Sequence, residues 1–211
     1  MNRVNRRIVW GRANSVNVQK VLWICDELGL AHDRIDAGLA YGVVDTPEYR
    51  RLNPNGLVPT LEEDGFILWE SNAIVRYLAA THAPGTLWPH DLRVRADADR
   101  WMSWQDSTFW PAIRPLFWNL IRTPPDQRDP EAMETSRLRT ADAVALLDTH
   151  LTGRRFVAGD IFTAADIPIG CGIWRWFALP VERPAAPAVA RWFEELSSRP
   201  SYRRTVMTPL S

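Results

Sequence analysis

Short runs of β-forming residues alternate with amphipathic stretches over residues 7–80. The run at 7–10 predicts a strand. After it, apolar residues recur at three- and four-residue spacing, which predicts a helix capped by Asn14 or Ser15 and stopped at Gly29. A second short strand is expected around 34–36. The first part of this stretch is therefore predicted to be β-α-β.

The next part is predicted to begin with an irregular segment, because glycine and proline punctuate residues 38–57. Residues 58–61 then predict a strand, and Asp-Gly at the end of 62–65 predicts a hairpin turn, since these residues tolerate positive φ. The returning strand is expected over 66–69. Ser71 is expected to start a helix, which gives ββα.

Beyond about residue 90 the pattern is helical almost throughout. Pro84, Gly85 and Pro89 predict a linker between Thr81 and His90. The periodicity predicts a helix from Leu92 toward Trp110, and Pro111 and Pro115 are expected to bend or interrupt the chain beyond it. Further helices are predicted over 130–151, 164–179 and 187–197. The predicted fold class is α/β plus all-α, with domains over 1–83 and 91–211.

Composition limits the possible partners. The chain has 211 residues, 46% of them hydrophobic, with 25 Lys+Arg against 25 Asp+Glu. A net charge of zero predicts no nucleic-acid or anionic-membrane partner. No apolar window is long enough to predict a transmembrane helix. The basic segment 1–7 precedes no long apolar run, so no secretory signal is expected and a cytoplasmic location is predicted.

Metal and thiol chemistry are not indicated by the spacing of potential ligands. Cys25 and Cys171 lie far apart, and the four histidines show no ligand spacing, so no metal site is predicted. Tryptophan is unusually frequent, with 11 residues. Two interpretations of this excess remain open: core packing, or an apolar ligand cleft or subunit contact.

Ser15 and Asn17 lie at a predicted strand-to-helix turn. A helix N-terminus offers free N–H donors and partial positive charge, so these residues are candidates to hold an anion or a thiolate. The alternative is that Ser15 is only a helix cap.

Two further pairs of candidate residues lie later in the chain. Pro59 interrupts a strand-like run and is expected at an edge or in a cis turn, where the main chain of Val58 is free to pair with an extended peptide. Glu70 suits an ammonium group, and Ser71 at a helix start suits a carboxylate, so together they suit an α-amino acid. The alternatives are an edge proline and a capping serine beside a solvated acid.

Four segments carry a family resemblance: GRANSVNVQKVLW, NPNGLVPTL, LWESNAIVRYLA and, late in the chain, FTAADIPIG. With these segments the chain resembles the glutathione transferases over nearly its whole length. The resemblance implies a thioredoxin-like N-terminal domain, an all-helical C-terminal domain and a homodimer. The absence of tyrosine in the first turn and its Ser-x-Asn pattern resemble theta-like and nu-like bacterial members.

The resemblance implies a role for each candidate residue. The main chain of Val58 would pair with the cysteinyl part of glutathione, Pro59 would be the family's cis proline, and Glu70 and Ser71 would anchor the γ-glutamyl group. Ser15 and Asn17 would face the sulfur and favour the thiolate. No metal is implied, and glutathione is the co-substrate.

The same resemblance implies a reaction. The thiolate would attack a small apolar electrophile in a cleft assigned to Trp10, Trp101, Trp104 and Trp110. A disulfide or peroxide reductase, or a non-catalytic binding or regulatory protein of the same fold, remains an alternative.

Two positions depart from the family pattern. Val44 and Leu57 stand where members often carry His and Lys or Arg. The glycine carboxylate of glutathione would then be held by Arg50, Arg51 or solvent, or not at all. The Thr163–Asp166 segment is predicted to be a structural capping box.

Overall fold

A computed structural model describes residues 6–211. Residues 1–5, and with them most of the basic N-terminal segment and the start of the predicted first domain, lie outside the described residues. The chain opens with the elements β1 (Arg7–Trp10), α1 (Val16–Glu27), β2 (Asp33–Ile35), α2 (Pro47–Leu52), β3 (Thr60–Glu63), β4 (Phe66–Trp69) and α3 (Ser71–His82).

The four strands form one mixed sheet in the order β2-β1-β3-β4. β1 pairs parallel with β2 and antiparallel with β3, so that Val9 lies opposite Arg34 on one side and Leu61 on the other. Asp64 and Gly65 both have positive φ in the turn between β3 and β4, as Asp-Gly predicts. The strand order and the flanking helices are those of a thioredoxin-like fold, and the predicted fold class is confirmed.

The rest of the described chain is helical. Its elements are α4 (Leu92–Trp104), a π-helical turn (Gln105–Phe109), α5 (Trp110–Ile121), α6 (Pro130–Leu151), α7 (Asp166–Ala178), α8 (Pro187–Ser197) and α9 (Pro200–Thr205). The predicted bounds of α6 and α8 agree with the structure. No helix in the described part of the chain is long and apolar enough to cross a membrane.

Two expectations need correction, and one helix was missed. The segment 38–57 is not irregular throughout, because it contains α2, whose N-cap Thr46 accepts a hydrogen bond from the amide of Tyr49. The third strand starts at Thr60 and not at Val58. The short helix α9 was not predicted. Helices of six residues show too few apolar repeats for periodicity to reveal them.

Pro111 does not interrupt the helix that precedes it. The chain passes from α4 into α5 through the π-helical turn, which lies just before this proline. Inside α5, the buried Ser136 of α6 takes the place of one helical hydrogen bond: its hydroxyl donates to the carbonyl of Ala112 and accepts from the amide of Leu116 at 3.0 Å. Such an insertion bends a helix, and it lies one turn before Trp118.

The helix α1 lies at the centre of the molecule and contacts both the sheet domain and the helical part. Its Trp23 is fully buried, with ring centroids 4.5 Å from Tyr202 and 5.6 Å from Phe162. Gly170 of α7 permits this approach, because a Cβ there would lie 2.9 Å from the Trp23 ring and 2.8 Å from Leu196. Both halves of the chain therefore fix the position of α1.

Candidate active site

A cavity of about 290 Å³ lies between the N-terminus of α1 and the inner face of α5. Ser15, Asn17 and Val58 line it on the sheet side. Aromatic side chains of α5 line the opposite side: Trp110, Phe117 and Trp118. The structure thus brings three of the predicted site residues together beside an apolar wall.

The turn from β1 to α1 shapes the sheet side of this cavity. Gly11 has φ 147°, and a Cβ there would lie 2.4 Å from a methyl group of Val18, so the turn requires glycine. Ser15 is the N-cap of α1 and is 6% exposed, yet its hydroxyl makes no capping hydrogen bond. The first turn of α1 contains no acidic residue. Ser15 therefore has a hydroxyl free to donate at the positive end of a helix.

Val58 presents unpaired main-chain groups to the cavity. The Val58–Pro59 peptide bond is cis, and β3 starts only at Thr60. Within residues 6–211, neither the N–H nor the carbonyl of Val58 takes part in a main-chain hydrogen bond. These groups are the donor and acceptor that an extended peptide would use.

α2 supports the segment that holds Val58. The hydroxyl of Tyr49 donates to the carbonyl of Leu57 at 2.7 Å, and the amide of Asn53 donates to the same carbonyl at 2.9 Å. Both side chains also contact the hydroxyl of Thr60, at 2.9 Å and 3.2 Å. Burial raises the pKa of Tyr49, so its hydroxyl stays protonated as a donor.

Glu70 and Ser71 lie at the start of α3. Glu70 has φ 71°, which is unusual for a residue with a side chain and which recurs at functional sites. The hydroxyl of Ser71 accepts a hydrogen bond from the ammonium group of Lys20 at 3.3 Å. Lys20 lies one turn further along α1 than the residues that line the cavity.

Lys20 connects this point to the helical part of the chain. It is completely buried, and its ammonium group lies 3.0 Å from a carboxylate oxygen of Asp106 in the π-helical turn. Asn72 donates to the other carboxylate oxygen at 2.7 Å. Burial lowers the pKa of Lys20, and the charge and hydrogen bond of Asp106 oppose that shift. Sequence reasoning missed both Lys20 and Asp106, which are far apart in sequence.

Four arginines also line the cavity: Arg12, Arg114, Arg122 and Arg175. Burial lowers the pKa of Arg12 and Arg122, and it lowers that of Arg175 to about 10. Sequence reasoning missed this group as well. A signal was present in α5, where Trp110, Arg114, Trp118 and Arg122 recur at every fourth position.

The structure separates the four tryptophans assigned to a cleft. Trp110 lines the cavity. Trp101 and Trp104 contact each other at 4.9 Å and line a groove with His150 on another face. Trp10 packs at 5.8 Å against Tyr49 and donates to Glu62. Only Trp110 of the four lines the cavity that Ser15 lines.

The residues considered for the glycine carboxylate lie on α2, apart from the residues that line the cavity. Arg50 donates to Asp45 at 2.8 Å and to the carbonyl of Pro54 at 3.0 Å, and Arg51 donates to Glu48 at 3.2 Å. Leu57 lines the cavity and is 64% exposed. Val44 is half-buried in the loop before α2.

The Thr163–Asp166 segment forms one of the two hydrogen bonds of a capping box, the one from the main-chain amide of the first residue to the carboxylate of the last. The amide of Thr163 donates to Asp166 at 2.9 Å, and the amide of Val157 and the indole of Trp192 donate to the same carboxylate at 2.9 Å each. Asp166 is fully buried, and its contacts lie within the helical part of the chain.

Comparison with known proteins agrees with this geometry. The family description "Glutathione S-transferase, N-terminal domain" matches residues 14–81, and "Glutathione S-transferase, C-terminal domain" matches residues 109–200. The chain is 41% identical to glutathione S-transferase GstB of Escherichia coli strain K12 over 96% of this chain and 99% of that protein. The fold and the relatives thus define a glutathione-using transferase with a thioredoxin-like domain.

A solved structure extends the likeness to the bound co-substrate. It is the theta class glutathione S-transferase of the citrus canker pathogen Xanthomonas axonopodis pv. citri with glutathione bound, with a TM-score of 0.95 and 45% identity over 98% of this chain and 100% of that chain. The chain belongs to the glutathione S-transferase family. The predictions of a transferase and of glutathione as its co-substrate are confirmed.

Proposed function

We propose that this enzyme binds glutathione along the N-terminus of α1 and transfers its thiolate to a small electrophile in the cavity beneath α5. One observation carries the proposal. Ser15, whose hydroxyl makes no capping hydrogen bond, and Asn17 line the same cavity as Val58. Within the described part of the chain, the main-chain groups of Val58 form no main-chain hydrogen bond.

The γ-glutamyl group would lie against Glu70 and Ser71. Lys20, which contacts Ser71, is five residues beyond Ser15, or about 7.5 Å along the helix axis. An extended tripeptide spans about 10 Å, so one glutathione molecule can extend from the Ser15 end of α1 toward Ser71. The buried charge of Lys20 supports a carboxylate there, and Glu70 with Asp106 supports an ammonium group.

Ser15 and Asn17 would stabilise the thiolate. A free thiol has a pKa of about 8.5, so a small fraction is ionised at neutral pH. Lowering that pKa by one to two units takes about 1.4–2.7 kcal/mol, which one or two hydrogen bonds to a charged group supply. The helix N-terminus acts in the same direction. The thiol proton leaves to solvent, so no general base is needed.

The electrophile cleft would be formed by Trp110, Phe117 and Trp118. These side chains face Ser15 across the cavity, whereas Trp10, Trp101 and Trp104 lie elsewhere. A disulfide or peroxide reductase using the same thiolate is the second candidate reaction. A regulatory or binding protein of the same fold is the third candidate. It is considered because a relative with another name, rat elongation factor 1-gamma, is 32% identical over 75% of this chain and 36% of its own length.

The proposal also divides the chain into domains 1–83 and 91–211. It further includes a homodimer, a cytoplasmic location and a role in detoxification. The break falls between the end of α3 at His82 and the start of α4 at Leu92.

The exposed Leu138 and Leu146 of α6 support a contact between two copies, since they lie at 50% and 52% exposure. Buried free thiols at Cys25 and Cys171 support a reducing compartment.

The experiment is calorimetric titration with glutathione, followed by a conjugation assay with 1-chloro-2,4-dinitrobenzene. Binding together with conjugation supports a transferase. Binding with turnover of hydroxyethyl disulfide alone would favour the reductase. Binding with neither activity would favour a regulatory protein, and the absence of binding would refute the site.

A further inference from the structure

One face of α5 alternates aromatic and cationic side chains. Trp110, Arg114, Trp118 and Arg122 are four residues apart, so they share a face of the helix. The Arg122 guanidinium lies 4.7 Å from the ring centroid of Trp118 and 5.2 Å from that of Phe117. The Arg114 guanidinium lies 5.4 Å from the ring centroid of Trp118. This stacking holds two cations against the aromatic wall of the cavity.

These arginines face the cavity rather than an acidic side chain of the described residues. Within residues 6–211, no side-chain carboxylate lies within 4.0 Å of the guanidinium groups that line the cavity, whereas many other arginines form ion pairs. Among the described residues, Arg122 donates to an oxygen of Ser211, the last residue of the sequence, at 3.2 Å.

The arginines at the base of the cavity also lack an acidic partner among residues 6–211. Arg175 is 2% exposed and donates to the carbonyls of Cys171 at 2.9 Å and Asn14 at 3.3 Å. Among residues 6–211, the buried Nε atoms of Arg175 and Arg12 have no hydrogen-bond partner. Removing such charges from water is costly unless an anion compensates them.

In the proposed binding mode, glutathione would leave part of this positive charge unused. Its thiolate is assigned to Ser15 and Asn17, and its glutamyl carboxylate to Ser71. Arg12 lies beside Gly38 and Val58, on the sheet side, where the glycyl end would pass. Arg114 and Arg122 belong to the opposite wall, among the rings of the cleft.

We propose that the second substrate is an aromatic electrophile carrying a carboxylate or similar anionic group, which Arg114 and Arg122 bind while Trp110 and Trp118 hold its ring. The proposal rests on the proposed transferase function and deepens it: the cleft takes a ring with a negative charge instead of a purely apolar molecule. An arginine fork suits a carboxylate because it donates two parallel hydrogen bonds.

A suitable probe is 4-chloro-3,5-dinitrobenzoate, with 4-chloro-3,5-dinitrobenzamide as its neutral match. In both, the glutathione thiolate attacks the ring carbon that carries chlorine, the C–S bond forms, and the C–Cl bond breaks with chloride leaving on its electron pair. Each enzymatic rate is divided by the uncatalysed rate with glutathione, which removes the difference in intrinsic reactivity.

We expect the normalised kcat/KM of the benzoate to exceed that of the benzamide at least tenfold. Arg122→Gln should lower the benzoate value about tenfold and change the benzamide value less than twofold, and Arg114→Gln with Arg122→Gln together should abolish the preference. Arg155→Gln is the matched control, since Arg155 also stacks on a ring, that of Phe156 at 5.3 Å, but is exposed and paired with Glu195.

Binding gives a readout independent of turnover. Unreactive 3,5-dinitrobenzoate should bind the glutathione-loaded enzyme at least tenfold more tightly than 3,5-dinitrobenzamide, and Arg122→Gln should remove the difference. Equal affinities would overturn the proposal. If Arg122→Gln raises the KM for glutathione with both electrophiles, the proposal is also overturned, because Arg122 would then bind glutathione. Conjugation of the benzamide without preference for the benzoate refutes the anionic substrate alone, whereas failure to bind glutathione refutes the transferase site.

Discussion

The hydroxyl of Tyr49 donates a 2.7 Å hydrogen bond to the carbonyl of Leu57, the residue before Val58. Tyr49 is the one buried residue of α2, at 1% exposure. This short helix therefore supports the segment whose free main-chain groups are proposed to pair with the cysteinyl part of glutathione. Tyr49 is a positioning residue, since it acts on the ligand through the main chain.

Tyr49→Phe should weaken glutathione binding about fivefold. A neutral hydrogen bond contributes about 1 kcal/mol, and the carbonyl of Leu57 would keep only the bond from Asn53. The KM for glutathione should rise while kcat changes less, a split that general destabilisation would not give. Tyr41→Phe is the control, because Tyr41 is 56% exposed. Equal glutathione affinity in the two variants would contradict the supporting role.

Glu70→Gln and Ser71→Ala should each raise the Kd for glutathione about tenfold or more. Each variant removes a hydrogen bond to a charged group, worth about 1.5–3 kcal/mol. Calorimetry measures the effect, with the exposed Glu131→Gln as the control. If both site variants keep the wild-type affinity, the γ-glutamyl group binds elsewhere.

Ser15→Ala and Asn17→Ala should lower kcat more than they weaken glutathione binding, because both residues are proposed to favour the thiolate. Each should raise the pKa of the bound thiol, which ultraviolet absorbance of the thiolate reports in a pH titration. An unchanged pKa in both variants would contradict this activating role of Ser15 and Asn17.

Asp166 should make folding stability depend on pH in a defined window. Burial raises its pKa to about 6, and the hydrogen bonds from Val157, Thr163 and Trp192 only partly oppose this shift. In the unfolded chain an aspartate has a pKa of about 3.9. The folded protein therefore holds a proton that the unfolded chain releases, and this stabilisation is full below pH 4 and is lost as pH rises through 6.

The difference between the two pKa values corresponds to about 3 kcal/mol. Urea unfolding at pH 4.5 and pH 7 should show wild type losing about 2 kcal/mol of this relative to Asp166→Asn, because the unfolded aspartate is already mostly ionised at pH 4.5. The exposed Asp160→Asn should follow wild type. Parallel pH profiles for wild type and Asp166→Asn would contradict the shift.

The proposed homodimer predicts a sedimenting mass of about twice 24.1 kDa. Leu146→Glu places a charge on the exposed apolar face of α6 and should shift the protein toward the monomer, because a buried unpaired charge is costly. Thr149→Glu, one turn away, adds the same charge as a matched comparison. A wild-type protein that is monomeric at micromolar concentration and still conjugates glutathione would remove the dimer.

Local signals in the sequence determined the elements that rely on local physics. The 3.6-residue period predicts α6, and Asp-Gly predicts the turn between β3 and β4, because both depend on neighbouring residues alone. The Ser-x-Asn turn, the Val58–Pro59 pair and the Glu70–Ser71 pair were visible for the same reason. The sequence did not predict α2, because a helix with one buried side chain shows no periodic spacing of apolar residues.

Tertiary structure decided which rings and charges meet. The sequence contains four candidate tryptophans, but it does not show which of them line the same cavity. Trp101 and Trp104 line the groove with His150, while Trp110 faces α1. Arg12 and Arg175 are far apart in sequence and line one cavity only because α1 packs against α7. Residue type alone does not predict which side chains share a cavity, because that depends on how the buried helices pack.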